Sequence, residues 1–297
     1  MKIGYYPGCT LKNKAKNLEE SAIHAMESLG YEMVELEKWN CCGAVYSLAD
    51  DDLIHLLAPV RDLIRAKDQG FDKVVTICSM CYNTLARANL VMRDDEEKRK
   101  TINTFLEEES DYVGDVEVVH LLGFLRDEVG FDKLAGAVKN PLTGIKLAPY
   151  YGCTLTRPAV VSIDDNASYP EVFKDFITAL GAESVEYSAS TECCGTYQII
   201  ANPEAAKTAA QKIIGSAGDR GADAMILSCP LCEYNLGRKQ EDMIAEEENI
   251  GSLPVLYFTQ LLALALGLPE DVCKFEYNPK GTHAWLVEKG LLNAVPA

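Results

Sequence analysis

Short runs of β-branched and aromatic residues alternate along this chain with longer segments in which apolar residues recur every three or four positions. Helical periodicity fills 13–29 and 50–69, between the first three of these runs. Strands that alternate with helices form βαβ units, so the pattern predicts an α/β fold with small parallel sheets covered by helices. The predicted strands are 2–6, 31–36, 73–77, 116–121, 146–151, 184–188, 224–228 and 254–258.

The sequence contains an internal repeat that spans nearly its whole length. YYPGCT (5–10) returns as YYGCT (150–154), NCCG (40–43) as ECCG (192–195), and GFDKVVTICSMC (70–81) as GADAMILSCPLC (221–232). Repeated motifs this far apart indicate duplication of a whole domain. We therefore predict two pseudo-symmetric domains, 1–140 and 141–297, joined by the proline- and glycine-containing segment 132–144.

The charge and hydropathy of the chain exclude several classes of function. Its 297 residues carry a formal net charge of −17. Nucleic acids and anionic membrane surfaces attract basic proteins, so neither is expected as a partner. No stretch reaches the roughly 18 apolar residues that cross a bilayer; LLALALGL (261–268) predicts a buried helix. The first ten residues lack the pattern of a signal peptide, which predicts a cytoplasmic location.

Ten of the eleven cysteines lie in the repeated motifs. The cytoplasm keeps thiols reduced, so this number of cysteines indicates metal binding or catalysis rather than disulfides. In each half the cysteines follow strands, and the carboxyl ends of strands in an open parallel sheet face one crevice. We therefore expect three cysteine-bearing loops to converge in each half. The two sets are Cys9, Cys41, Cys42, Cys78 and Cys81, then Cys153, Cys193, Cys194, Cys229 and Cys232.

The five-cysteine pattern predicts an iron–sulfur cluster in each half. Structural zinc closes its shell with four ligands, and a cubane cluster also takes four cysteines. Five thiolates would mean either one spectator or a cluster with more ligand positions. Adjacent cysteines have Cα atoms about 3.8 Å apart, close enough for both sulfurs to reach neighbouring irons, and a vicinal disulfide is the alternative. Gly43 and Gly195 would relieve backbone crowding after each pair.

These motifs resemble the B subunit of heterodisulfide reductase from methanogenic archaea, a protein with duplicated CCG domains. The resemblance covers nearly the whole chain and rests on YPGCT, CCGA, ICSMCYNTL, CPLCEYNL and PVLYFTQLLALALG. It implies two noncubane 4Fe–4S clusters, each bound by the five cysteines of one set. It also implies an oxidoreductase, the catalytic subunit that reduces the mixed disulfide of coenzyme M and coenzyme B to two thiols in methanogenesis.

The resemblance also implies partners. The C subunit of heterodisulfide reductase delivers electrons through cubane clusters, the flavin-containing A subunit divides electrons by bifurcation, and a hydrogenase or formate dehydrogenase can feed the A subunit. The duplication suits the implied reaction, because cleaving a disulfide takes two electrons and iron–sulfur clusters normally pass one at a time. The alternative is an electron-transfer subunit of a CCG-containing succinate, glycolate or lactate dehydrogenase. Those relatives often carry an extra CxxCxxC region that this chain lacks.

A few residues outside the cysteine sets are candidates for other roles. The implied substrate is anionic, so a chain of net charge −17 must concentrate positive charge locally. Arg157 and Lys12, which follow Cys153 and Cys9, are candidates for this role, with solvated surface positions as the alternative. His120 and His283 are candidates for donating protons. Cys273 is expected to pack as a small hydrophobic residue.

Overall fold

A computed structural model describes residues 1–43, 53–240, 242 and 252–292, which form two four-stranded sheets. The first sheet has the order β2–β1–β3–β4 and the second the order β6–β5–β7–β8. All neighbouring strands are parallel, which confirms the predicted α/β class. The strands are β1 (Lys2–Tyr5), β2 (Glu32–Glu35), β3 (Lys73–Thr76), β4 (Glu117–His120), β5 (Lys146–Pro149), β6 (Glu183–Ser184), β7 (Ala224–Leu227) and β8 (Val255–Tyr257).

Helices connect the strands and cover the sheets. Asp95 lies between the helices Ser79–Asp94 and Glu96–Phe105. Its side chain accepts a hydrogen bond from the Lys98 amide and caps the second of these helices. Asn202 caps another in the same way, with Pro203 in the first turn. The helices are α1 (Lys16–Ser28), α2 (Leu57–Asp68), α3 (Ser79–Asp94), α4 (Glu96–Phe105), α5 (Leu121–Phe124), α6 (Phe131–Ala137), α7 (Val172–Ala179), α8 (Pro203–Gly218), α9 (Pro230–Glu233), α10 (Phe258–Ala265) and α11 (Thr282–Glu288).

Two predicted elements differ from the structure. The strand expected at 184–188 is wrong in extent, because β6 contains only Glu183–Ser184. It is an edge strand, and after the bond from the Val185 amide to the Leu147 carbonyl the chain leaves the sheet toward the second cysteine pair. The helix predicted at 50–69 is present from residue 53 as a short 3₁₀ turn followed by α2. Residues 50–52 lie outside the described part of the chain.

The segment predicted as a linker is a packed connection. Helix α6 occupies its first part and buries Leu134. The amides of Lys139 and Asn140 then donate to the Ala265 carbonyl at 2.8 and 2.9 Å. The chain therefore passes between the sheets in contact with the second half, and a domain boundary at 140/141 stays a prediction.

The two halves pack against each other through helices, in two equivalent contacts. α1 of the first half packs on α10, which follows the last strand of the second half, and α7 packs on α5 in the corresponding way. Ser21 Oγ in α1 donates to Thr259 Oγ1 in α10 at 2.7 Å. One hydrophobic core includes buried residues of both halves. Within the described ranges, no helix is long and apolar enough to cross a membrane.

Candidate metal centre

The first cysteine set lies on three loops at the carboxyl ends of β1, β2 and β3. Cys41 Sγ is 3.6 Å from Cys9 Sγ, which joins the first two loops. Cys42 Sγ is 3.7 Å from Cys81 Sγ, which joins the second and third, and Cys81 also interacts with Cys78. The three loops therefore meet in one crevice, as their positions after parallel strands predict.

The second set repeats this arrangement after β5, β6 and β7. Cys194 Sγ lies 3.4 Å from Cys232 Sγ. Cys193 interacts with both Cys153 and Cys194, and Cys229 interacts with Cys232. All eleven cysteines fall in the described ranges, and none forms a disulfide. Each half therefore holds five free thiols in one crevice, and in the second half their contacts form one continuous chain.

The two crevices adjoin each other. The thiol of Cys78 interacts directly with the thiol of Cys229 across the boundary between the halves. Asn83 Nδ2 donates to the carbonyls of Thr154 and Arg157 at 2.8 and 2.7 Å, and Thr154 Oγ1 donates to Ser79 Oγ at 3.2 Å. These contacts tie the CxxC turn of the first half to the Cys153 loop of the second.

Sequence reasoning assigned no role to Asn83, Ser79 or Thr154. One signal for Asn83 was present, because an asparagine closely follows the CxxC motif in both copies of the repeat. Its counterpart Asn235 donates to the Cys194 carbonyl at 2.9 Å. Both asparagines thus bind the backbone of cysteine-bearing loops.

Glycines allow the close approach of the loops in both halves. Gly8 has φ +73°, and a Cβ atom there would stand 2.8 Å from Cys81 Sγ. Gly195 has φ +79°, and a Cβ atom there would stand 2.6 Å from Ala206 Cα. Residues other than glycine rarely adopt a positive φ, and a Cβ atom does not fit at these distances. Gly8, which precedes Cys9, and Gly195, which follows Cys194, are thus steric requirements of the site.

The crowded thiols shift one another's pKa values in opposite directions. A hydrogen bond with Cys42 holds the pKa of Cys81 well above its usual range, and Cys194 does the same to Cys232. Hydrogen bonds from Cys153 lower the pKa of Cys193, and those from Cys232 lower the pKa of Cys229. The charge state of each of these thiols therefore depends on its neighbours. Metal binding would deprotonate all of them, because coordinated cysteine is a thiolate.

The donor set fits a metal centre bound by thiolates. Thiolates select zinc, copper(I) or iron–sulfur clusters. Across the part of the chain that the structure describes, no three His, Cys, Asp or Glu side chains are arranged to hold a single metal ion. The thiols instead contact one another in pairs along a chain, in the manner of Cys9 with Cys41 and Cys42 with Cys81. Thiols grouped in this way are suited to binding a metal centre through sulfur.

The two basic candidates have different surroundings. Arg157 is exposed, and its Nη2 donates to the Thr191 carbonyl at 2.8 Å, which links the Cys153 loop to the loop of the second cysteine pair. Lys12 Nζ lies 2.6 Å from a Glu19 oxygen and 2.5 Å from a Glu35 oxygen. Two carboxylates therefore offset the Lys12 charge, which does not favour a role for it in anion binding.

The remaining candidates are His120, His283 and Cys273. His120 is buried, its Nε2 is 2.8 Å from the Ile77 carbonyl, and its Nδ1 accepts from the Leu122 amide. Burial lowers the pKa of His120 to about 4. Both ring nitrogens thus interact with the backbone, and the proton-donating role of His120 stays a prediction. His283 lies 2.9 Å from a Glu270 oxygen at the surface. Cys273 is fully buried, in agreement with a packing role.

Fold and site together define a duplicated parallel α/β protein with one five-thiol crevice in each half. A family model described as the cysteine-rich CCG domain matches the chain twice, over residues 3–86 and 147–237. The chain belongs to this family. The two matches cover the two cysteine sets, so the duplication deduced from the repeat is also a duplication of the family's domain.

Relatives of known assignment are similar over nearly the whole chain. The 8-methylmenaquinol:fumarate reductase membrane anchor subunit of Wolinella succinogenes is 32% identical, over 93% of this chain and 96% of its own. The B subunit of a ferredoxin/F420H2-dependent CoB–CoM heterodisulfide reductase from Methanosarcina acetivorans is 31% identical, over 93% of both chains. A protein of Archaeoglobus profundus, named as similar to the B subunit of heterodisulfide reductase, is 29% identical, over 94% and 96%. The resemblance found in the motifs is confirmed.

A solved structure shares the fold. The crystal structure of a hypothetical protein from Helicobacter pylori superposes with a TM-score of 0.75 at 15% sequence identity. It matches 94% of this chain, which spans 52% of the other. The likeness supports the two-sheet architecture.

Proposed function

We propose that this chain is an iron–sulfur subunit of a multi-subunit oxidoreductase, and that each half binds one noncubane 4Fe–4S cluster through its five cysteines. The observation that carries the proposal is the grouping of five free thiols in one crevice, which occurs in each half. The relatives from Methanosarcina acetivorans and Archaeoglobus profundus, both named after heterodisulfide reductase, support the same cofactor class. The clusters would supply one-electron transfer, and the chain would hold them side by side.

The reaction proposed is reduction of the coenzyme M–coenzyme B disulfide. Two electrons and two protons convert the S–S bond into two thiols. The contact between Cys78 and Cys229 supports this reaction, because clusters bound by these two cysteines would lie next to each other. Arg157, exposed at the rim of the second crevice, would bind an anionic arm of the substrate. Water or His120 would supply the protons.

The proposed partners are the other subunits of such a complex. The C subunit would deliver electrons, and the flavin-containing A subunit would divide them, fed by a hydrogenase or formate dehydrogenase. The relatives are themselves named as subunits, which supports a multi-subunit assembly. A cytoplasmic location for this chain remains part of the proposal.

A second candidate function is electron transfer within a fumarate- or succinate-linked complex. The Wolinella succinogenes relative favours this candidate, since it is named as part of a fumarate reductase and is 32% identical over nearly the whole chain. In that case the two clusters would pass electrons to a neighbouring protein of the complex, and no disulfide would react in this one.

Anaerobic assays separate the two candidates. The chain would be purified with its clusters and supplied with a reduced viologen dye, then given either the coenzyme M–coenzyme B disulfide or fumarate. Release of two thiols per disulfide would support the reductase. If the clusters are present but neither the disulfide nor fumarate oxidises the dye, the result would favour the electron-transfer role. Zinc in place of iron would contradict both candidate functions.

A further inference from the structure

One tyrosine contact occurs in both halves at equivalent places. Tyr6 Oη donates to the Asn40 carbonyl at 2.7 Å, and Tyr150 Oη donates to the Glu192 carbonyl at 2.7 Å. Each accepting residue comes directly before an adjacent cysteine pair. Each tyrosine follows the first strand of its sheet. The contact therefore joins the loop of the first cysteine to the loop of the cysteine pair in each half.

The backbone register shows that the two tyrosines are equivalent. The Tyr6 amide donates to the Val75 carbonyl in β3 at 2.9 Å, and the Tyr150 amide donates to the Ile226 carbonyl in β7 at 2.8 Å. The strands β3 and β7 lead into the two CxxC motifs. Each tyrosine is thus bonded to the elements that carry all three cysteine loops of its half.

In each half the tyrosine ring also packs against the glycine that precedes the first cysteine. A Cβ atom on Gly8 would stand 3.5 Å from Tyr6 Cε1, and one on Gly152 would stand 3.2 Å from Tyr150 Cε1. Tyr6 is 0% exposed and Tyr150 is 2% exposed, so neither ring is free to move into solvent. A rigid ring lies between the loops, and its hydroxyl fixes the distance between them.

The other supports of the two cysteine-pair loops differ between the halves. In the first half the Asn40 amide donates to Asp62 Oδ1 at 2.8 Å. In the second half Arg157 binds the Thr191 carbonyl, and Lys212 Nζ lies 2.7 Å from a Glu192 oxygen. The two copies have diverged around these loops, whereas the tyrosine contact is present in both.

We propose that Tyr6 and Tyr150 are positioning residues, each of which holds the cysteine pair of its own half at the spacing that cluster binding requires. The inference rests on the proposed function, since it concerns the clusters held by these cysteines. Loss of a hydroxyl would leave the loop carbonyl without its buried donor and free the pair to move. Cluster retention and reduction potential would then change in that half alone, because thiolate placement and hydrogen bonding tune both.

The test compares Tyr6→Phe, Tyr150→Phe and Tyr112→Phe, purified anaerobically with their clusters. Tyr112 is a matched control, since it is buried and its hydroxyl donates to Asn89 Oδ1 at 2.5 Å, outside the cysteine loops. Iron release to a chelator should be about 10-fold faster for half of the iron in Tyr6→Phe and in Tyr150→Phe. Redox titration followed by electron paramagnetic resonance should show one shifted signal in each, and a different one.

Each outcome decides a separate point. Absence of iron from the unmodified protein would contradict the proposed function itself. Iron release and potentials equal to those of Tyr112→Phe, with iron present in the unmodified protein, would overturn the positioning role alone. If Tyr6→Phe does not fold, Tyr150→Phe tests the same contact in the other half. Failure of both to fold would contradict the inference by showing a general structural role.

Discussion

The thiol of Cys78 meets the thiol of Cys229, although the two residues lie in different halves of the chain. Each is the first cysteine of a CxxC motif, so they occupy equivalent positions in the repeat. The interaction therefore joins equivalent positions of the two copies. The two five-thiol crevices therefore adjoin where these cysteines lie.

Gly8→Ala should remove the cluster of the first half. The new Cβ would stand 2.8 Å from Cys81 Sγ in a backbone conformation with φ +73°. Gly30→Ala is the control, since Gly30 has φ +89° and nothing within 4 Å of a Cβ. Both variants should lose about 1–2 kcal/mol of folding stability to backbone strain, but iron analysis should show loss of half the iron in Gly8→Ala only. Equal iron in both variants would contradict the steric role.

Arg157→Ala should weaken binding of the anionic disulfide by about 1–3 kcal/mol, the usual cost of a lost charge-assisted contact. Arg157 is exposed beside the second crevice. Lys12→Ala is the matched control, because Glu19 and Glu35 already offset the Lys12 charge. Anaerobic calorimetry of disulfide binding measures both. A larger effect from Lys12→Ala than from Arg157→Ala would reverse the assignment.

Asp62 should make folding stability depend on pH. The carboxyl is buried, one oxygen accepts from the Asn40 amide, and the other has no hydrogen-bond partner among the described residues. Burial raises the pKa of Asp62 to about 8, so the folded protein holds a proton that the unfolded chain releases above its ordinary pKa near 4. The protonated Asp62 therefore makes its full contribution to folding stability below about pH 4. As pH rises toward 8 that contribution is lost, and the free energy of unfolding falls by up to about 1.4 kcal/mol per pH unit.

Asp62→Asn should remove this slope, because the amide stays neutral over the whole range and keeps an oxygen for the Asn40 amide. Urea unfolding at pH 5, 6, 7 and 8 gives the free energy of unfolding for both proteins. The exposed Asp94→Asn serves as the control and should keep the slope. The same slope in the Asp62→Asn variant would show that Asp62 is ionised in the folded state.

The sequence was sufficient for the features that depend on local pattern and on the repeat. Alternating strands and helices predicted parallel sheets, and the positions of Cys9 and Cys78 after strands predicted that their loops meet. The extent of β6 was predicted wrongly, since an edge strand pairs with only one neighbour and the sequence does not show where that pairing stops. The repeated asparagine after CxxC was visible, but the partners of Asn83 were not.

Contacts between distant elements could not be predicted. His120 follows a strand in the sequence, as Cys78 does, yet the ring turns into the core and binds the Ile77 carbonyl. Lys12 follows Cys9 closely in the sequence, but its ion pairs with Glu19 from α1 and Glu35 from β2 could not be read from that position. Such features depend on how side chains from several elements pack together, and the sequence pattern does not predict that packing.

The most direct test of two five-cysteine clusters is the iron content of Cys41→Ala and Cys193→Ala compared with the unmodified protein, all purified anaerobically. The unmodified chain should hold about eight irons with matching acid-labile sulfide, about four in each half. Each variant should lose or convert only the cluster of its own half and should keep the spectroscopic signal of the other. Iron content and spectra unchanged in both variants, or zinc in place of iron, would contradict the account.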